Sequence, residues 1–232
     1  MTSKMDALAT LQQLDDECTT WSNHHAHSCN LLASLLNIAR QRNQTLIQLQ
    51  LQSKKSSSPV STTTATATHG SPAPKALLAS STLQALIHKQ TLEIESVITQ
   101  LLDSIQTFER VVLAMTTLER QVEAALQKVD PSTFLSARED ASSRLLDTAE
   151  ISPLDLLDWV SRTRAMYARE LLLKRTQVNP MTLTTALDHF DTLAKLQKSW
   201  GLQYHIDFGL EQEMVERIKT YRRVREFSTT RS

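Results

Sequence analysis

From Ile87 to Val129 the chain carries an apolar stripe at alternating spacings of four and three residues: Ile87, Thr91, Ile94, Ile98, Leu101, Ile105, Phe108, Val112, Met115, Glu119, Val122, Leu126 and Val129. No Gly or Pro interrupts it. On an α-helix this spacing lines up one narrow seam, which must be buried against another helix because water on it is costly. At about 1.5 Å per residue the run is a rod on the order of 65 Å long, far beyond an ordinary globular helix. The fold class it implies is all-α, a long helical hairpin or coiled coil followed by a small C-terminal helical region. The seam pairs with helices of a partner chain or with the first helix of its own chain. Glu119 and Thr91 interrupt it, and polar seam positions fix register and partner choice at a cost in stability.

Composition narrows the alternatives. With three Gly and 5% aromatic residues in 232, tight turns and phosphate-cradling loops are scarce, which argues against a many-stranded β fold or a nucleotide-binding α/β enzyme. Lys plus Arg equals Asp plus Glu at 25 each, so no net field pulls the whole chain toward nucleic acid or membrane. Cys18 and Cys29 lie on one expected helix about 16 Å apart, too far for a disulfide, which suits a reducing compartment, cytosolic or nuclear. No apolar run reaches the ~18 residues of a membrane span, and no signal-peptide pattern opens the chain.

Four regions are expected. Residues 1–52 form an amphipathic helix with the seam Leu11, Leu14, Cys18, Trp21, His25, Ser28, Leu32, Leu35, Ala39, Arg42, Leu46 and Leu49. Its polar middle predicts a break or kink between Asn23 and Asn30. Residues 53–80, rich in Ser, Thr, Ala and Pro, are too polar to order themselves and read as a disordered linker. Residues 81–130 are the long helix, stopped by Asp130-Pro131. Residues 131–232 form the C-terminal helical region. Within it Ser132 caps a helix to about Thr148, and Ser152-Pro153 with Asp155 opens the best-signalled helix. Asn179-Pro180 opens another that Gly201 ends, and a last helix runs from about Gly209 to Arg225.

Candidate chemistry is thin. Cys18, His25 and Cys29 share a helical face beside His24 and His27, but zinc needs four tetrahedral ligands, usually from two elements; a histidine patch on a partly exposed helix is the reading preferred. Asp155 is explained by capping, and Asp158 has no nucleophile or base at a meaningful spacing. Arg217, Lys219, Arg222, Arg223 and Arg225 read as a solvated helix end complementing the dipole, in preference to a nucleic-acid patch. Trp159 and Tyr167 read as core residues. No catalytic, metal or cofactor site is expected, and the chain reads as non-enzymatic.

The order of parts resembles a known family. A helix ending LLASLLNIARQRNQ (Leu31 to Gln44) precedes one opening LQALIHKQTLEIESVI (Leu83 to Ile98), and the long helix leads to ISPLDLLDWVSR (Ile151 to Arg162). This resembles subunit 4 of the Mediator transcription coactivator complex, with Ile87 and His88 matching the coiled-coil start and Ile151, Ser152, Leu156, Leu157 and Trp159 matching its junction. The likeness covers about residues 30–165. Downstream the family usually carries a Pro-rich aromatic segment and an acidic tail, where this chain has Asn179-Pro180-Met181 and a basic end. The resemblance implies a nuclear scaffold in Mediator's middle module, pairing with other coiled-coil subunits as an obligate hetero-oligomer and linking transcription factors to RNA polymerase II. It brings no catalytic residues. The alternatives are a coiled-coil subunit of a kinetochore, vesicle-tethering or lysosome-positioning complex, and a helical nucleic-acid-binding protein.

Overall fold

A computed structural model describes residues 6–56, 80–128, 151–179, 183, 187 and 189–229 of the chain. They form five helices: α1 Ala7–Ser56, α2 Ser80–Leu126, α3 Pro153–Gln177, α4 Phe190–Gly201 and α5 Phe208–Thr229. No strand occurs among the described residues. The fold is all-helical, a long N-terminal helix pair followed by shorter helices.

Helix α1 starts where Asp6 accepts from the amides of Leu8 (3.1 Å) and Ala9 (3.3 Å), filling donors that a first turn leaves open. It then runs unbroken to Ser56. The break expected between Asn23 and Asn30 does not occur: the stretch holds no Gly or Pro, and at its centre Ser28 accepts from the Trp200 indole of α4. The helix also takes in residues 53–56, which the sequence reading gave to the linker. Its last turn is carried by lysines, good helix formers, and by the Ser53 hydroxyl donating to the Gln50 carbonyl. The rest of the expected linker, 57–79, and the helix expected after Ser132 lie outside the described residues.

α1 and α2 are antiparallel. Trp21 stacks near Phe108 with ring centroids 4.2 Å apart, while further along Arg42 donates to the Thr91 hydroxyl at 3.1 Å. α3 lies along the opposite half of α2, pairing Arg164 with Glu119 and Arg175 with Glu109. Along the half of α2 that α3 also covers, buried positions follow from having two neighbours. Besides the expected seam, a third row at sevenfold spacing is buried: Leu83, Gln90, Val97, Ser104, Val111 and Leu118. A stripe wide enough for two partners needs three rows rather than two.

α3 opens as its sequence requires. The Ser152 hydroxyl accepts from the Asp155 amide at 3.1 Å, Pro153 takes the first position, and Asp155 sits in the first turn. α4 ends at Gly201, but the left-handed residue that turns the chain is Gln203, with φ 44°. Asp207 then caps α5, accepting from Gly209 and Leu210. All five helices contribute to a single hydrophobic core cluster, so the C-terminal helices pack onto the hairpin and share its core.

Candidate functional site

The hairpin has two unlike ends. At the base, where α1 begins and α2 finishes, all three C-terminal helices pack against it. Trp21, Phe108, Tyr167 and Trp200 are each no more than 1% exposed. Trp21 meets Tyr167 edge-on at 4.9 Å, and Phe108 meets Trp200 at 6.5 Å. Such pairings add to plain area burial.

Fully buried charge threads this aromatic centre. Lys174 Nζ lies 3.2 Å from Glu170 Oε1, donates to the Trp200 carbonyl at 3.1 Å, and sits 4.2 Å from the Trp200 ring centroid. The second Glu170 oxygen accepts from the His205 amide. Burial lowers the Lys174 pKa, and Glu170 opposes that shift. The C-terminal helix end of α4 is thereby tied to α3. It is also tied to α1: the Trp200 indole donates to Ser28 Oγ at 2.8 Å, and Ser28 donates in turn to the His25 carbonyl. Across the turn, the Trp21 indole donates to Gln203 Oε1 at 3.0 Å. The polar middle of the α1 seam is therefore the seat of α4.

His25 is buried with Cys29 Sγ 3.5 Å from its Nε2. Burial first, then the Lys174 charge, lower its pKa to about 4, against a weaker pull from the Gly201 carbonyl. Burial raises the Cys18 thiol to about 12. Both groups are thus held in their neutral forms among the packed side chains. Among the described residues no group of three or more His, Cys, Asp or Glu is arranged to hold a metal ion. On the other flank of Tyr167, its hydroxyl donates to Glu211 Oε1 at 2.5 Å, and burial raises the Glu211 pKa, with Asp15 and Asp207 adding to it.

The residues read as a partner-binding seam are occupied by the chain itself. Ile94, Leu101, Ile105, Phe108, Met115 and Val122 are buried, and Ile87, Ile98, Val112 and Leu126 are half-buried. Val129 lies outside the described residues. Their neighbours are α1 and α3, the helices packed along α2. Glu119, expected to fix register and partner choice, makes a bidentate pair with Arg164 of its own chain at 2.8 and 3.1 Å. Burial pushes the Glu119 pKa up, but the hydrogen bonds from Arg164 and Ser161 outweigh it and hold it low. Of the junction residues, Ile151 and Leu156 enter the core, Ser152 caps α3, and Leu157 and Trp159 are half-buried. In the basic C-terminal patch Lys219 pairs with Glu216 at 2.8 Å, and Arg222 lies close enough to Asp15 to lower that carboxylate's pKa against its burial.

Beyond Ala39 and Ile94 no third helix covers the opposite end among the described residues. Past Ala39 and Ile94, the only buried residues of the hairpin among those described are Thr45, Leu83 and Gln90. A cavity of about 150 Å³ marks the border, between Arg42, Asn43 and Leu46 of α1, Ile94 of α2, and Leu187 and Phe190. Beyond it Leu46, Leu49 and Ile87 are half-buried on the two helices. Ile47, Leu51, Leu86 and Leu92 are exposed. The sequence reading extended one uniform seam over this end, because its apolar spacing does not change there. Compared with family models, curated proteins and solved structures, the chain matches none.

Proposed function

We propose that this chain is a non-enzymatic helical scaffold subunit of a nuclear multiprotein assembly, of the class of Mediator's middle module, linking transcription factors to RNA polymerase II through its partner subunits. The observation that carries the scaffold part is the two-ended hairpin: a filled base, and beyond it a two-helix end with half-buried aliphatic residues. A rod of about 70 Å, at 1.5 Å per residue, joined to a compact foot suits a part that spaces and holds other chains. The Mediator part rests on the order of parts and on the junction Ile151-Ser152 with Leu156, Leu157 and Trp159.

The contact surface in this proposal is the open end of the hairpin, since the central seam is closed within the chain. The test is purification of the tagged full chain from its own cells, with quantitative mass spectrometry of what accompanies it. Other Mediator middle subunits in stoichiometric amounts are the expected result. A different coiled-coil complex overturns the Mediator assignment, and the chain alone overturns the scaffold.

A further inference from the structure

Charge is sorted along the hairpin although it cancels over the whole chain. Between Glu17 and Glu93 no Asp or Glu occurs, while Arg40, Arg42, Lys54, Lys55, Lys75 and Lys89 do. The antiparallel pairing brings the two halves of this acid-free stretch side by side at the open end. Arg40 is exposed, Arg42 lines the border cavity, and the Lys89 side chain, 73% exposed, pairs with Glu93 at 3.8 Å. At the base the same helix carries Asp6, Asp15, Asp16 and Glu17. The far end of the hairpin is therefore basic, while at the base the acidic start of α1 lies beside the basic end of α5.

The basic end also carries an interface that stops short. The groove between α1 and α2 holds Leu187 and Phe190 at the level of Ala39 and Ile94. The strip that continues it, with Leu46, Leu49 and Ile87, is half-buried and has no third helix over it among the described residues. Helices laid into such grooves are read by aliphatic anchors at i, i+3 and i+7.

We propose that this strip is a docking groove for an acidic amphipathic helix of a partner chain, its aliphatic face on Leu46, Leu49 and Ile87 and its carboxylates toward Arg40 and Arg42. This names the partner chemistry of the scaffold reading above and rests on it. A second copy of the chain is a poor occupant, because two basic ends repel. The segment 57–79 has no acidic residue to offer. The segment 129–150 is tethered at both ends to the base. Thr91 lies 35 residues from Leu126 along α2, about 50 Å, so a round trip of about 100 Å exceeds the roughly 80 Å that this segment spans fully extended. Nucleic acid fits less well: no aromatic residue occurs between Trp21 and Phe108 to stack on bases, and an aliphatic strip offers nothing to phosphate.

The test is fluorescence anisotropy of the purified full chain. The probe is a synthetic amphipathic peptide with leucines at i, i+3 and i+7 and glutamates elsewhere. Two control peptides replace Glu by Lys or Leu by Ser, and a single-stranded oligonucleotide is measured alongside. The Glu peptide binds, and both controls bind at least about tenfold more weakly, a difference near 1.4 kcal/mol. Arg40→Glu with Arg42→Glu weakens the Glu peptide by a similar factor, and Arg40→Lys with Arg42→Lys keeps it within about threefold. Circular dichroism melting of each variant separates lost binding from lost fold, and the peptide controls need no variant. Failure of the Glu peptide to bind, equal binding of the Lys peptide, or tighter binding of the oligonucleotide overturns the proposal. A chain that binds the Glu peptide yet purifies alone from cells keeps the groove and sinks the scaffold reading.

Discussion

The base and the open end of the hairpin are built from the same two helices and the same sevenfold rows, yet they behave as different materials. At the base the rows meet three further helices, and a buried ion pair sits beside the Trp200 and Phe108 rings. At the open end the central positions turn polar: Arg42 reaches Thr91, while Thr45 and Gln90 are buried in place of aliphatic residues. Periodicity thus says which face of a helix is covered, and residue chemistry along that face says how firmly. A seam can be continuous in sequence and discontinuous in strength.

The sharpest way to break this contrast is at Lys174. Lys174→Met leaves Glu170 buried without its counter-charge, and losing one partner of such a pair costs about 3–5 kcal/mol. Chemical denaturation should show that loss, and Lys174→Met combined with Glu170→Leu should recover most of it. A Lys174→Met chain of unchanged stability would mean that the base is not the closed unit described.

The next largest effect is on pH. The folded His25 takes its proton near 4, the unfolded one near 6.5. Stability from its neutral form is complete above about pH 6.5 and falls as the pH drops toward 4, by up to about 3 kcal/mol. Glu211 and Asp15, with raised pKa values, work in the opposite sense. The comparison that isolates His25 is the pH slope of the urea midpoint in wild type against His25→Asn: the wild-type chain should lose more between pH 7 and pH 5.

Trp200→Phe keeps an aromatic ring but removes the indole donor to Ser28 and some buried volume, and should cost about 1–3 kcal/mol or more, with hydrogen exchange rising first in α4. At the open end Arg42→Ala should cost no more than about 1 kcal/mol. Leu51→Ser, on an exposed site, should stay within about 0.5 kcal/mol. Urea titration ranks these two against the base variants, and a larger loss at Arg42 than at Trp200 would reverse the comparison.

Much of the fold was legible in the sequence because it is written in local grammar. The alternating spacing from Ile87 to Leu126 announced a long helix needing a partner, and Ser152-Pro153 announced the start of α3. The third row of α2 was harder to see, since Gln90 and Ser104 sit in it and break its apolar pattern. The buried pair of Lys174 and Glu170 left no mark in the sequence, because nothing local tells a solvated i,i+4 pair from an enclosed one. The expected break in α1 failed for a related reason: Ser28 weakens a seam only when no distant residue comes to meet it, and Trp200 does. The proposed docking surface was hidden in another way. A balanced total charge masks an acid-free stretch until the antiparallel pairing folds its halves together.

The claim on which the rest depends is that the long seam closes within one chain. Thermal unfolding of the purified protein, followed by helical circular dichroism over a wide range of protein concentration, tests it most directly. A closed seam gives one midpoint at every concentration, and a midpoint that climbs with concentration would show that the seam pairs between chains instead.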